Sequence, residues 1–260
     1  MKNQTRKKTS RSKLCVVFDI DETILIYLNG QTSIQNFTLL EPKYKRMFDY
    51  AEVEFGGRHE VFIFRPGFED FIRFARLYRI NIAIWTYGDK KYAEFVEQLI
   101  CKHYGFNKSP FLFVYSNTEI KEDVKKGMYE KDLRRIFDSY PGRFTPSNTF
   151  LVDNKPSNIY HESNMHNWFI VESYAPFVYR QLTVNEMRVA AQNNMFDLLQ
   201  KICKKIMKKN TVSTTPIFGA ENVNSMDLKK FYKQYISNNT TVSVLSTKNI
   251  DFDKNFTLIK

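Results

Sequence analysis

Two aspartates separated by one residue are the part of this 260-residue sequence best suited to catalysis. Asp19 and Asp21 directly follow the apolar run at residues 14–18, which is typical of a fully buried β-strand. In an open α/β sheet, ligands bind in the crevice at the carboxyl ends of the strands. One carboxylate can attack a phosphorus atom while the other transfers protons, and the pair attracts a hard divalent cation. This segment therefore predicts a phosphatase with an aspartate nucleophile.

Phosphate-ester hydrolysis also needs a fixed positive charge, donors for the phosphoryl oxygens and ligands for a cation. Thr86 follows a second apolar strand and can present its hydroxyl and its backbone N–H to a phosphate oxygen. Lys131 can supply the charge, although its position at the start of a helix would alone suggest a surface side chain. Asp153 and Asn154 follow the apolar residues 149–152 and offer oxygen ligands. We expect these side chains to meet in one site.

Four motifs lie in the order and spacing of a known family. They are Asp-x-Asp-x-Thr at 19–23, Arg-Pro-Gly at 65–67, Gly-x-Tyr-x-Lys-Asp-Leu at 127–133 and Asp-Asn-x-Pro at 153–156. Residues 14–208 thereby resemble the haloacid-dehalogenase superfamily and, within it, the NLI-interacting factor-like small phosphatases that act on the C-terminal domain of RNA polymerase II. The resemblance implies an α/β fold with a Rossmann-like parallel sheet flanked by helices, a small β-rich insertion and no large cap domain.

The resemblance also implies roles for the motif residues. Asp19 corresponds to the nucleophile that forms an aspartyl-phosphate, and Asp21 to the acid/base that protonates the leaving oxygen and deprotonates the attacking water. Thr86 and Lys131 correspond to the threonine and lysine that hold the phosphate. Asp153 corresponds to a carboxylate that orients the lysine and a water on the metal.

The resemblance implies a Mg²⁺ site made of oxygen ligands. Asp19 corresponds to a carboxylate ligand, Asp21 to a residue whose backbone carbonyl binds the metal, and Asn154 to a side-chain ligand. Mg²⁺ suits such a mixed set of oxygens and retained waters, whereas zinc would favour His or Cys. No further cofactor is implied.

Three more side chains are predicted to contact the phosphate or the substrate: Thr23, Tyr87 and Arg65. The Thr23 hydroxyl can instead tie its own loop, which is the common behaviour of such a residue. Arg65 can equally form a structural ion pair. Tyr87 stands where the family has a small residue, so that a bulky ring narrows or reshapes the phosphate site.

Hydrophobic patterns predict the elements that position these residues. Beyond residues 14–18, strands are expected at 80–85, 111–115, 149–152 and 168–171, and helices at 68–77, 92–100 and 183–208. Residues 29–64 are expected to form the β-rich insertion, with strands at 53–55 and 61–64. We therefore expect a basic N-terminal tail at 1–13, a phosphatase domain at 14–209, and a C-terminal extension of unknown role at 210–260, with a helix at 226–236 and a strand at 241–245.

Charge and composition restrict the function classes. The net charge of +11 arises from six basic residues within 1–13 and five lysines within 201–209, so the remaining residues are balanced. A balanced core argues against a general nucleic-acid surface. Three widely spaced cysteines form no metal motif, and no apolar run is long enough to cross a bilayer. The sequence predicts a soluble intracellular protein, in the nucleus or the cytoplasm, with no membrane partner.

The leading hypothesis is a Mg²⁺-dependent phosphatase that acts on phosphoserine or phosphothreonine in a protein, such as a segment like the C-terminal domain of RNA polymerase II. The absence of a large cap would leave a site open to a polypeptide. An enzyme that removes phosphate from nucleic-acid ends is possible but less favoured. A non-catalytic scaffold of the same fold is the third hypothesis, and the presence of both motif aspartates and Lys131 weighs against it.

Overall fold

The computed structural model describes residues 14–55, 57–77, 79–164, 167–192 and 195, and the backbone of 256–258. Its strands are β1 (Cys15–Phe18), β2 (Leu25–Leu28), β3 (Asp49–Phe55), β4 (Arg58–Phe64), β5 (Asn81–Trp85), β6 (Phe111–Tyr115), β7 (Thr149–Asp153), β8 (Trp168–Ile170) and β9 (Phe256–Leu258). Its helices are α1 (Gln31–Thr38), α2 (Pro42–Lys45), α3 (Phe68–Leu77), α4 (Lys90–His103), α5 (Asn117–Lys125), α6 (Arg134–Ser139) and α7 (Val184–Ala190), with 3₁₀ turns at Pro156–Asn158 and Glu162–Asn164.

A five-stranded parallel sheet with the order β6-β5-β1-β7-β8 forms the centre of the fold. In β1, Phe18 is in register with Ile84 of β5 on one side and Val152 of β7 on the other. Asp19 therefore leaves the sheet between the ends of two neighbouring strands, and its backbone N–H donates to the Val152 carbonyl at 2.9 Å. This arrangement confirms the predicted α/β fold and brings the chemistry-bearing strand ends together.

Both faces of the parallel sheet are buried. Alternate residues of β1, such as Val16 and Phe18, pack into one apolar cluster, while Cys15 and Val17 pack into another. Burial on both faces explains the continuous apolar run of β1, because helices cover a parallel sheet on each side. On one side, α3 packs Phe71 edge-on against Phe18 with their ring centroids 5.1 Å apart.

The insertion contributes β3 and β4 to a four-stranded antiparallel sheet that also contains β2 and β9, and its content differs from the prediction. The order of the sheet is β2-β4-β3-β9, and β2 begins before residue 29, where the insertion was expected to start. Residues 31–45, predicted as part of a β-rich segment, instead contain α1 and α2. Apolar side chains of this segment pack into a cluster with distant residues: Phe37 of α1 is fully buried and packs edge-on against Phe48 and Phe177. Local strand signals do not reveal that contact.

Several predicted elements extend beyond what is described. A capping box at Thr183 starts α7, as expected for a helix from residue 183. The helix predicted at 183–208 is not continuous, because α7 ends at Ala190 and residues 191–192 form a turn and a bend. Residues 193–194 and 196–208 lie outside the described residues, as do the predicted helix at 226–236 and strand at 241–245. Residues 256–258 pair antiparallel with β3. The proposed division at residues 13 and 209 stays a prediction. Within the described residues no helix is both long and apolar enough to span a bilayer.

Candidate active site

A tight turn after β1 positions the two motif aspartates. The backbone carbonyl of Ile20 accepts from the N–H groups of Thr23 and Ile24, at 3.2 and 2.9 Å. Glu22 adopts a left-handed conformation with φ of 59°, and the chain then enters β2. The turn keeps Asp19 almost fully buried and leaves Asp21 partly exposed. The nucleophile candidate therefore lies deeper than the acid/base candidate.

Lys131 joins two carboxylates at the base of the site. Its Nζ donates to Asp19 Oδ1 and to Asp153 Oδ2, each at 2.7 Å, and only 1% of its side chain is exposed. Lys131 lies in a turn before α6 with a φ of 48°, not at the start of a helix as the sequence suggested. A left-handed non-glycine residue costs roughly 1–2 kcal/mol, so the contacts made by Lys131 must outweigh that strain.

Lys131, Asp19 and Asp153 form a buried trio, and protein donors contact both carboxylate oxygens of Asp153. Asp153 Oδ1 accepts from the Lys155 backbone N–H at 2.8 Å, and Asn158 Nδ2 contacts both carboxylate oxygens at 3.1–3.2 Å. Asp153 therefore fixes Lys131 and has little capacity left for another ligand. Burial raises the pKa of Asp19, and the Lys131 ammonium opposes that rise.

The second carboxylate oxygen of Asp19, Oδ2, lies near other oxygen atoms that could bind a metal ion. Asp19 Oδ2 and Asn154 Oδ1 lie 3.5 and 3.4 Å from the same Thr23 hydroxyl oxygen. The amide of Asn154 has a defined orientation, because its Nδ2 donates to Glu22 Oε2 at 3.1 Å and its backbone N–H donates to the Thr23 hydroxyl. Its carbonyl oxygen is thereby turned toward Asp19.

This donor set fits a hard cation and not zinc. No cluster of three or more His, Cys, Asp or Glu side chains suited to a metal occurs among the described residues. A carboxylate oxygen of Asp19 and an amide oxygen of Asn154 both lie within 3.5 Å of the Thr23 hydroxyl oxygen. A few protein oxygens completed by waters are what Mg²⁺ accepts, whereas a structural zinc site needs four His or Cys ligands.

Thr86 and Tyr87 follow the end of β5, and Tyr87 contacts Lys131. The Thr86 hydroxyl is buried and accepts from the Gly88 N–H at 3.0 Å, so its own proton points elsewhere. The predicted use of the Thr86 backbone N–H is wrong, because that N–H donates to the Tyr115 carbonyl at 3.0 Å. The Tyr87 ring lies over Lys131 with its centroid 5.2 Å from Nζ, and its hydroxyl donates to Glu130.

Comparison with known proteins gives the family. A family model described as NLI interacting factor-like phosphatase matches residues 14–213, more than half of the chain. The chain belongs to the NLI interacting factor-like phosphatase family. Comparison with curated proteins finds no match.

Two solved structures are partly similar to this family member. One is Fcp1, described as an essential RNA polymerase II CTD phosphatase, with 18% identity and a TM-score of 0.46. The other is a variant of the fission yeast RNA polymerase II CTD phosphatase Fcp1 bound to beryllium fluoride, with 15% identity and a TM-score of 0.43. Each alignment covers 87% of this chain and 62% of the Fcp1 chain, so this chain spans less than two thirds of those chains.

Two of the predicted substrate contacts have structural roles in this family member. Arg65 is 3% exposed, and its guanidinium donates to the backbone carbonyls of Glu22, Thr23 and Glu172. It braces the motif loop from below, and we correct its assignment from substrate contact to loop support. The fully buried Thr23 hydroxyl likewise ties the loop to the end of β7.

Three functional candidates were missed by motif reasoning. The Tyr92 hydroxyl donates to Asp21 Oδ1 at 2.5 Å, and Glu22 and Asn158 orient Asn154 and Asp153. Burial raises the pKa of Asp21, and the hydrogen bond from Tyr92 opposes the rise. The sequence pattern places Tyr92 only at the start of the helix predicted at 92–100. Its polar tip was the one available signal, because a buried tyrosine hydroxyl usually finds a partner.

Proposed function

We propose that this protein is a Mg²⁺-dependent phosphatase that forms an aspartyl-phosphate at Asp19 and acts on phosphoserine or phosphothreonine in proteins. The observation that carries the proposal is the buried trio in which Lys131 holds Asp19 Oδ1 while Asp19 Oδ2 remains on the side of Asn154. A buried carboxylate whose orientation is set by a salt bridge is suited to in-line attack on phosphorus.

The first step transfers the phosphoryl group to Asp19. One carboxylate oxygen of Asp19 forms a bond to phosphorus while the bond from phosphorus to the ester oxygen breaks, and Asp21 gives a proton to the departing oxygen. In the second step Asp21 takes a proton from a water, whose oxygen bonds to phosphorus. The acyl-phosphate bond breaks, inorganic phosphate leaves, and the Asp19 carboxylate is restored.

Protein donors hold the phosphoryl oxygens during both steps. Lys131 uses two of its three N–H donors on carboxylates and keeps a third for the phosphoryl group. The Thr86 hydroxyl proton has no acceptor among the described residues, and the same is true of the Ile20 and Asp21 backbone N–H groups. Fixed donors of this kind are each worth on the order of 10²–10³ in kcat.

The Mg²⁺ ion would be held by the Asp19 carboxylate oxygen that does not attack phosphorus, by Asn154 Oδ1 and by the backbone carbonyl of Asp21. When bound, it would neutralise charge on the phosphoryl oxygens and on the Asp19 carboxylate. Glu22 supports this arrangement by holding the Asn154 amide nitrogen away from the metal position. The trio of Lys131, Asp19 and Asp153 carries one excess negative charge, which also favours a cation at this place.

Family membership and the shape of the described region support the proposed substrate class. Within the described residues the largest insertion into the core is the small antiparallel sheet with α1 and α2, and no large cap covers the strand ends. An open site can admit a polypeptide segment. A segment like the C-terminal domain of RNA polymerase II is the substrate that we propose on the basis of the family resemblance.

Hydrolysis of p-nitrophenyl phosphate by wild type and by Asp19→Asn, each with Mg²⁺ and with EDTA, tests the chemistry. We expect turnover that requires Mg²⁺ and falls by at least about 10³-fold in Asp19→Asn. Asp123→Asn is the matched control, since Asp123 is also buried and salt-bridged but belongs to α5 and pairs with Arg135. It should retain wild-type kcat. An acid-quenched wild-type sample should carry a phosphoryl group that hydroxylamine releases.

Panels of phosphopeptides and of 5′- and 3′-phosphorylated oligonucleotides then test the substrate class. Higher kcat/KM on phosphoserine or phosphothreonine peptides than on oligonucleotides is the expected result. The reverse order, with activity that falls steeply as salt rises, would favour the nucleic-acid hypothesis. No turnover on any phosphate ester in Mg²⁺ would refute the enzymatic proposal and favour a scaffold.

A further inference from the structure

The Tyr92 hydroxyl makes the one side-chain hydrogen bond to Asp21 within the described residues. It donates to Asp21 Oδ1 at 2.5 Å across 71 positions of sequence. Asp153, by comparison, receives donors from Lys131, Asn158 and the Lys155 backbone. The carboxyl group that must transfer protons is therefore held at a single point.

Three features of the α4 N-terminus fix the position of Tyr92. Asp89 caps the helix and accepts the Tyr92 backbone N–H at 2.8 Å. The ring then packs directly on Gly88, where an added Cβ would lie 2.4 Å from Tyr92 Cδ1. The edge of the Tyr27 ring approaches from the insertion, with centroids 6.4 Å apart. Gly88 is thus required for close approach of a ring, and the ring delivers its hydroxyl to the site.

We infer that Tyr92 is a positioning residue that fixes one oxygen of Asp21 so that the other faces the leaving oxygen of the substrate. The inference rests on the proposed function of Asp21. A general acid must lie within hydrogen-bond reach of the oxygen that it protonates. An aspartate held at neither oxygen can rotate about two side-chain bonds, and the hydrogen bond from Tyr92 removes that freedom.

The chemistry of the leaving group separates positioning from simple structural support. An alkoxide leaving from a phosphoserine peptide needs the proton from Asp21 as the phosphorus–oxygen bond breaks. The p-nitrophenolate ion leaves without a proton because it is a stable anion. A misplaced Asp21 should therefore slow attack on the peptide and spare attack on p-nitrophenyl phosphate. The kcat/KM value is the right quantity, since it covers the steps up to phosphoenzyme formation and omits its hydrolysis.

The experiment compares full-length wild type, Tyr92→Phe and Tyr104→Phe on both substrates in Mg²⁺. Tyr104→Phe is the matched control, because its hydroxyl also donates to an aspartate, Asp49, at 2.6 Å but away from the site. For Tyr92→Phe we expect kcat/KM to fall about 10- to 100-fold on the phosphoserine peptide and less than about threefold on p-nitrophenyl phosphate. Tyr104→Phe should leave the ratio between the two substrates unchanged.

The effect of Mg²⁺ on the melting temperature tests whether Tyr92→Phe disturbs the whole loop at residues 19–23. The rise in melting temperature on adding Mg²⁺ should be equal in wild type and Tyr92→Phe, since the proposed ligand from Asp21 is its backbone carbonyl. The inference would be overturned if Tyr92→Phe left the ratio of kcat/KM between the two substrates unchanged, or if Tyr104→Phe shifted that ratio equally. Loss of the Mg²⁺ effect on the melting temperature of Tyr92→Phe would also overturn it. An inactive wild type would instead overturn the proposed function, so the two failures are distinguishable.

Discussion

Lys131 and Arg65 are both buried cations, and the protein holds them with opposite kinds of partner. Lys131 is 1% exposed and contacts two carboxylates, those of Asp19 and Asp153. Arg65 is 3% exposed and contacts three backbone carbonyls of the loops around the site. Its guanidinium also lies 5.2 Å from the centroid of the Tyr174 ring.

The difference in partners separates a cation that can serve chemistry from one that supports the backbone. The Lys131 cluster is negative overall and has a spare donor, so both a metal ion and a phosphoryl group can join it. The planar guanidinium of Arg65 donates instead to backbone carbonyls, which are neutral acceptors at fixed positions. Burial lowers the pKa of Arg65 to about 10, which still leaves it protonated at neutral pH. A buried charge alone therefore does not identify a substrate contact.

Replacing Lys131 should have the largest effect. Lys131→Met keeps most of the side-chain volume but leaves two buried carboxylates facing each other. We expect kcat on p-nitrophenyl phosphate to fall by about 10²–10³-fold, and the free energy of unfolding to fall by about 3 kcal/mol. Steady-state kinetics and urea unfolding measure the two effects. Lys121→Met, on the exposed face of α5, should change neither. Wild-type kcat in Lys131→Met would remove Lys131 from the proposed mechanism.

Asp153→Asn tests whether Lys131 needs both carboxylates. The amide keeps one acceptor but presents an NH₂ group where Asn158 and Lys131 both donate. We expect kcat to fall by about 10–100-fold and stability by about 1–3 kcal/mol. Asp123→Asn again serves as the buried control. If Asp153→Asn were as stable as wild type and fully active, Asp153 would be dispensable for holding Lys131.

Much of the fold could be predicted because its signals are local. The apolar runs of β1, β5, β6 and β7 mark buried parallel strands, and the structure confirms each of them. The insertion was predicted less well. The four residues of β2 lie too close to the catalytic turn to stand out, and α1 begins after Gly30 without a side-chain cap. Its burial against Phe48 and Phe177 depends on contacts distant in sequence.

The residues of the candidate site were likewise predictable where the signal is local, and unpredictable where it depends on contacts distant in sequence. The sequence located Asp19, Asp21 and Lys131, since each belongs to a recognisable motif. It could not show that Lys131 is buried, because its partner Asp19 is 112 positions away. The role of Arg65 depends on carbonyls of loops that only the folded chain brings together. Tertiary contacts decide these roles, and one sequence carries no direct record of them.

Arg65→Lys sharpens the contrast between the two cations. The charge is kept, but one ammonium group cannot reach three separate carbonyls in the geometry of a guanidinium. We expect a loss of about 2 kcal/mol in the free energy of unfolding, with a decrease in kcat smaller than about tenfold, well below the loss expected for Lys131→Met. Arg73→Lys, a surface change in the pair with Glu69, should be neutral. Unchanged stability with kcat as low as in Lys131→Met would restore Arg65 as a substrate contact.

Tyr87→Phe should have the smallest effect, because Tyr87 touches Lys131 through its ring and not through its hydroxyl. The ring face stays over Nζ in the variant, and only the hydrogen bond to the exposed Glu130 is lost. A cation–π contact between the buried Lys131 ammonium and the partly exposed Tyr87 ring is worth at least about 0.5–1 kcal/mol, so Tyr87→Ala should raise KM for p-nitrophenyl phosphate several-fold more than Tyr87→Phe does. Measuring KM and kcat for both variants separates the ring from the hydroxyl. A loss in Tyr87→Phe as large as in Tyr87→Ala would show that the hydroxyl and Glu130, not the ring, hold Lys131 in place. Lys131 would then depend on an indirect support, a tyrosine hydroxyl bonded to a surface carboxylate, in addition to its two direct ion pairs.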